Sequence, residues 1–199
     1  MNFINYWNNR YDNGGTSGSG SYGILANYKA NFINNFIQKN NINRIIEFGC
    51  GDGNQLSLSN YPEYIGLDIS ITAIEICKNK FKNDSTKQFQ LYNPNKFNNT
   101  LISDLTLSLD VIFHILDDEL YVKYMEHLFM CSSKYVIIYS SNFNNKTYAK
   151  HISHRRFTDW IEDNITDFDL VDKVHNRYKY DPKNENTTSL SDFYVYKSK

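Results

Sequence analysis

Apolar residues fall along this chain in short blocks of strand length and in longer segments whose apolar positions recur at spacings of three and four. The blocks lie at Ile45 and Ile46, at residues 64–67, 88–92 and 105–109, and at 135–139. Leu25, Tyr28, Phe32 and Phe36, with Ile33 and Ile37 beside them, predict a helix over residues 22–39, and Ser21 stands where its N-cap would be. Residues 71–82 repeat the pattern with Ile74, Cys77 and Phe81 on one face. A third helix opens at Asp117, acidic in its first turn, and aims Leu120, Tyr124 and Leu128 at a core together with Tyr121, Met125 and Phe129. Residues 105–109 alternate apolar and polar, whereas residues 135–139 read as a buried central strand.

Strands that alternate with helices need right-handed crossovers, which give a parallel sheet covered on both faces. Two further strands, near residues 168–174 and 193–196, have no helix between them. Their polar connection contains Asp181 and Pro182 and predicts an antiparallel hairpin. The expected fold is therefore α/β, a three-layer sandwich with a mostly parallel seven-stranded sheet and an antiparallel last strand. At 199 residues the chain fits one domain with a real core.

Between the first two strands lies the candidate chemistry: Glu47, Phe48, Gly49, Cys50, Gly51, Asp52, Gly53 and Asn54, with Asp68 closing the second strand. Alternate glycines after a strand permit a sharp turn and bare main chain against a ligand. Asn54 occupies the place where a dinucleotide fingerprint needs its third glycine, and no Gly-Lys-Ser/Thr follows for a P-loop. Glu47 and Asp52 would also repel a pyrophosphate. These acids suit a ligand with an ammonium and a sulfonium charge, and Asp68 suits ribose hydroxyls.

At these residues the sequence resembles the class I S-adenosyl-L-methionine (SAM)-dependent methyltransferases. Glu47, Gly49, Gly51 and Gly53 match their first motif and Asp68 their ribose-binding acid, while Ser70, Ala73 and Ile74 continue the usual helix opening. The resemblance implies a Rossmann-like fold, with SAM as cofactor and S-adenosyl-L-homocysteine (SAH) as product. It places Cys50, Asp52 and Ile69 beside the cofactor, Asn93 near the adenine amine, and Ser108 and Leu109 on the same edge.

Net charge of −1 argues against a nucleic-acid partner held by charge alone. The three cysteines, Cys50, Cys77 and Cys131, show no metal-ligand spacing, so no metal is expected and a reducing compartment is. No apolar run approaches a membrane span and the N-terminus lacks an export signal, so a soluble, cytoplasmic protein is expected. Residues 1–23 combine Phe3, Tyr6, Trp7, Arg10 and Tyr11 with a Gly/Ser-rich stretch. They read either as a flap over the cofactor site or as a surface helix with a loose loop.

Ligands of open parallel sheets bind at the carboxyl ends of the strands. A hydroxyl acceptor needs a base of near-neutral pKa, which favours histidine. His114 follows the fourth strand, and His151 and His154 follow the fifth; with Asp110 they are the catalytic candidates. His127 and His175 sit where a structural histidine is the better expectation. Arg10 and Tyr22 from the N-terminal segment, and Arg155 and Arg156 from a cluster with Lys146 and Lys150, are the candidate substrate contacts. Residues 109–112 read Leu, Asp, Val, Ile, so the Asn/Asp-Pro-Pro-aromatic signature of amino-directed DNA methyltransferases is absent. A metal-assisted site using Asp110 and Asn142 lacks a visible third ligand. The acceptor expected is a small molecule, a sugar or sugar nucleotide methylated on oxygen, with a non-catalytic SAM-binding subunit as the rival reading.

Overall fold

The computed structural model describes residues 3–97, 100–146 and 152–199. In chain order the elements are α1 (Phe3–Asp12), α2 (Gly23–Asn40), β1 (Arg44–Phe48), β2 (Glu63–Asp68), α3 (Ile71–Lys80), β3 (Lys87–Leu91) and β4 (Ser103–Leu109). They continue with α4 (Asp118–Met130), β5 (Ser132–Ser140), the two-residue β6 (Asn145–Lys146) and β7 (Ser153–His154), α5 (Phe157–Asn164), β8 (Phe168–Val174) and β9 (Asp192–Ser198). Seven strands form one sheet in the order β3-β2-β1-β4-β5-β9-β8. The first five run parallel, β9 pairs antiparallel with both β5 and β8, and β6 pairs with β7 in a separate ribbon. This is the α/β sandwich that the residue pattern predicts.

Period-two alternation sorts the strand residues between two cores. Ile45, Leu105, Leu107, Ile137 and Val195 pack with Ile33 and Ile37 of α2 and Ile74 of α3. Ile46, Val136, Ile138 and Tyr194 pack with Met125 and Leu128 of α4 and Ile161 of α5. β4 alternates apolar and polar residues, and its Thr106 and Ser108 are fully buried under α4. Burial is tolerated since both hydroxyls are paired: Thr106 Oγ1 donates to the Leu128 carbonyl at 2.8 Å and Ser108 meets the Tyr124 hydroxyl at 2.8 Å.

Helix starts show where side-chain chemistry matters and where it does not. Ser70 caps α3 by accepting from the Ala73 amide, and Asp117 caps α4 by accepting from the Leu120 amide at 2.9 Å. Ser21 does not cap α2, contrary to expectation. It ends a short 3-10 turn, and Tyr22 takes the N-cap position with no side-chain bond. No helix among the described residues is long and apolar enough to cross a membrane.

Asp117→Ala removes one helix cap at an exposed position. It should lower the unfolding free energy by about 1 kcal/mol, read as a shift of the urea midpoint with an unchanged slope.

Candidate active site

The order β3-β2-β1-β4-β5 reverses chain direction between β1 and β4, and ligands of such sheets bind at that switch, outside the strand ends. A cleft of about 990 Å³ lies there. Its walls follow the sheet: Asn93 after β3, Asp68 and Ile69 at the end of β2, Glu47, Gly49, Cys50 and Gly51 from β1 and its turn. Leu109, Asp110 and His114 follow from β4, then Ser141 and His154 beyond β5.

The glycine turn is held by internal bonds. The amides of Gly49 and Cys50 both donate to the Leu67 carbonyl, and that of Gly51 to Asp68 Oδ2 at 2.9 Å. Those of Asp52, Gly53 and Asn54 donate to Ser17 Oγ, the Cys50 carbonyl and Asp52 Oδ1. Every amide from Gly49 to Asn54 is spent inside the protein, which leaves no nest for a phosphate. Gly49, Gly51 and Gly53 take φ of 86°, 55° and 68°, the left-handed region. The space each side chain would need belongs to the protein itself: Val111 at Gly49, Ser17 and Tyr11 at Gly51, Cys77 and Phe81 at Gly53. The glycines are thus required by turn geometry and close packing, where bare main chain for a ligand was expected.

Asp68 accepts from the amides of Gly51 and Ser70, both at 2.9 Å, and burial pushes its pKa up to about 6. Glu47 is buried and accepts from the Tyr64 hydroxyl at 2.6 Å; burial raises it to about 7. The residues before α2 form a strap across the turn. The Ser17 amide and the Tyr22 hydroxyl both donate to Asp52 Oδ2, Asn54 Nδ2 donates to the Ser21 carbonyl, and Arg10 Nε donates to the Thr16 carbonyl. Trp7 sets its edge against His114 with ring centroids 5.1 Å apart.

Lys29 was missed by the sequence reading. It is wholly buried, lines the cleft, and pairs with Asp110 Oδ2 at 2.7 Å; Asp110 Oδ1 accepts from Ser191 at 2.7 Å. The signal was legible, because Leu25, Lys29, Ile33 and Ile37 stand four apart on the buried stripe of α2 and one of them is a cation. Asp110 itself sits at φ 59°, a rare conformation for a residue with a side chain, so the chain bends sharply after β4. The β8–β9 connection, read from the sequence as a polar hairpin loop, also walls the cleft through Tyr180, Glu185 and Ser189.

Other candidates lie elsewhere. Asp52 spends its carboxylate on the strap, Gly53 packs under α3, and Ser108 is sealed beneath α4. Tyr22 reaches only Asp52 among the described residues. Arg155 turns from the cleft and donates to the Ile115 and Leu116 carbonyls and to Asp118, stacking 4.7 Å over Tyr121. The Arg156 guanidinium is half exposed and 3.9 Å from Asp159. Asn142 pairs with Thr158. His127 and His175 meet Tyr92 and Asp192. His151 and Lys150 lie outside the described residues.

No family model and no curated protein matches the sequence. Solved structures share the fold. Magnesium protoporphyrin IX methyltransferase (ChlM) from Synechocystis PCC 6803 with bound SAH is 14% identical, covers 98% of each chain and has a TM-score of 0.69. The N-methyltransferase NodS from Bradyrhizobium japonicum WM9 in complex with SAH is 11% identical over 86% of this chain and 85% of that one, TM-score 0.68. The methyltransferase domain of bacterial CtHen1-C is 18% identical over 86% and 97%, TM-score 0.65. At these identities the likeness establishes the fold: a Rossmann-like methyltransferase fold.

Lys29→Met leaves Asp110, partly exposed on the cleft wall, without its cation and should destabilise the fold by about 1–3 kcal/mol. Adding Asp110→Asn should recover part of that loss, a coupling that urea denaturation of the single and double variants measures.

Proposed function

We propose that this chain is a SAM-dependent methyltransferase acting on a hydroxyl of a small, uncharged molecule, a sugar being the simplest candidate. The observation that carries the reading is Asp68: a carboxylate at the end of β2, anchored by the Gly51 amide beside a turn with no amide to spare for phosphate. Two amide bonds leave lone pairs on Asp68 for ribose hydroxyls. Glu47 and Lys29 offer opposite charges on the same wall, one for the ammonium and one for the carboxylate of the cofactor's amino-acid end. Ile69, Asn93 and Leu109 would flank the nucleoside. When bound, SAM supplies a methyl on a sulfonium, so that an S–CH3 bond breaks as the acceptor's O–CH3 bond forms and the thioether leaves neutral.

Room and charge support an enzyme over a binding subunit. The cleft is at the upper end of the roughly 300–1,000 Å³ of small-molecule sites, and beyond the β4 end it continues between Trp7, Phe113, His114, His154 and Tyr180. Four carboxylates, Glu47, Asp68, Asp110 and Glu185, face two cations, Arg10 and Lys29, among its described residues. This balance disfavours an anionic acceptor, and the guanidinium of Arg155, a candidate substrate contact, is engaged by the Ile115 and Leu116 carbonyls and Asp118. A neutral sugar therefore fits better than a sugar nucleotide. Both oxygens of Asp110 are engaged, one by Lys29 and one by Ser191, which leaves His114 and His154 to handle the hydroxyl.

Thermal-shift titration should show a raised melting point with SAM and SAH and none with NAD. Labelled SAM offered with a panel of sugars and sugar nucleotides should methylate a neutral sugar. No shift with either ligand would remove the reading. The ammonium binds the charged form of Glu47 and ribose hydroxyls that of Asp68, so SAH affinity should weaken as pH falls through about 7 and then along a second limb through about 6, each by up to about tenfold per pH unit. Calorimetry of Asp68→Asn should find weaker binding in which the second limb is flattened.

A further inference from the structure

We propose that Ser141 holds His154 in the tautomer whose Nε2 carries the proton, so that His154 donates a hydrogen bond to an oxygen of the acceptor while His114 takes the proton of the reacting hydroxyl. The inference rests on the methyltransferase reading of the same cleft and divides labour between its two described histidines.

Ser141 stands just past the end of β5 and is 2% exposed; its Oγ lies 2.6 Å from His154 Nδ1. That ring nitrogen is its side chain's one hydrogen-bond partner among the described residues. A serine hydroxyl carries one proton, and the bond satisfies both groups within the protein when Oγ–H donates and Nδ1 accepts. In the reverse arrangement the hydroxyl proton would have no acceptor among the hydrogen bonds of the described residues and would have to turn to the cleft. With Nδ1 accepting, the neutral ring must carry its proton on Nε2, and a protonated Nε2 has no lone pair with which to act as a base.

The surroundings keep the ring neutral and in place. Phe143 and Phe113 lie with ring centroids 4.6 and 5.9 Å from it, and burial pushes its pKa down. The adjacent Arg155 guanidinium is turned into the Ile115 and Leu116 carbonyls and onto Asp118. His154 lines the cleft, as does His114 after β4, where Trp7 buttresses it. An acceptor with two neighbouring oxygens, one held by the Nε2 proton and one losing its proton to His114, suits this pair. Vicinal hydroxyls of a sugar ring have that chemistry, and a simple monoamine does not.

The test is long-range proton–nitrogen NMR of the full chain labelled with ¹⁵N-histidine, recorded well above the histidine pKa, with the His154 signals assigned by their loss in His154→Gln. The expected result is a pyrrole-type shift at Nε2 and a pyridine-type shift at Nδ1, moving toward two averaged shifts in Ser141→Ala. A pyrrole-type Nδ1 or averaged shifts in the wild-type protein would overturn the proposal, and that measurement stands even where Ser141→Ala does not fold. A Ser141→Ala protein with unchanged shifts would equally remove Ser141 from the role. Calorimetry with SAH on the same sample separates the two layers: no binding sinks the methyltransferase reading, while the tautomer remains readable.

Discussion

The carboxylate of Asp68 ties the turn after β1 to the end of β2, and the site is arranged around that tie. One oxygen receives the Gly51 amide and the other the Ser70 amide, so one side chain fixes the glycine turn and the entry to α3. Such a group is costly to bury, which its raised pKa registers, and the amide bonds offset part of that cost. The carboxylate is held at the wall of the cleft instead of being sealed in the core, and this is what makes it available to a polar ligand.

The cleft is chemically unequal along its length. Around β1 and β2 it offers Glu47 and Asp68, with Lys29 as a buried cation close enough to act on Glu47. Beyond β4 it turns aromatic, with two histidines and with Arg10 over the Trp7 ring. Lys29 reaches the cleft from α2, and Asp110, bent into the left-handed region after β4, meets it there. α2 and the ends of β4 and β9 are tied through the Lys29, Asp110 and Ser191 side chains, so this stretch of the cleft wall is built on a polar network whose lysine and serine are buried.

The strap of residues 13–22 packs on the glycine turn at Gly51, while Val111 closes on Gly49 and Cys77 and Phe81 on Gly53. Ser17 and Tyr11 fill the place a side chain at residue 51 would need, and Asp52 is consumed in holding the strap. The glycine motif is thus packed against the protein's own N-terminal segment at Gly51, while Gly49, Cys50 and Gly51 also line the cleft.

Local pattern by itself determined the element order, the parallel sheet with its antiparallel closing strand, and the pairing of glycine turn with Asp68, since periodicity and turn chemistry are properties of neighbouring residues. It also marked His114 and His154, because ligands gather where strands end. What tertiary structure alone decided was direction. Arg155 was a plausible anion contact until the carbonyls of Ile115 and Leu116, forty and thirty-nine residues away in the chain, claimed its guanidinium. Lys29 was an ordinary helix lysine until α2 laid it against Asp110, eighty-one residues on. Long side chains swing through many rotamers in an isolated strand or helix, and only partners brought from distant parts of the chain select the one that faces a cleft or turns away from it.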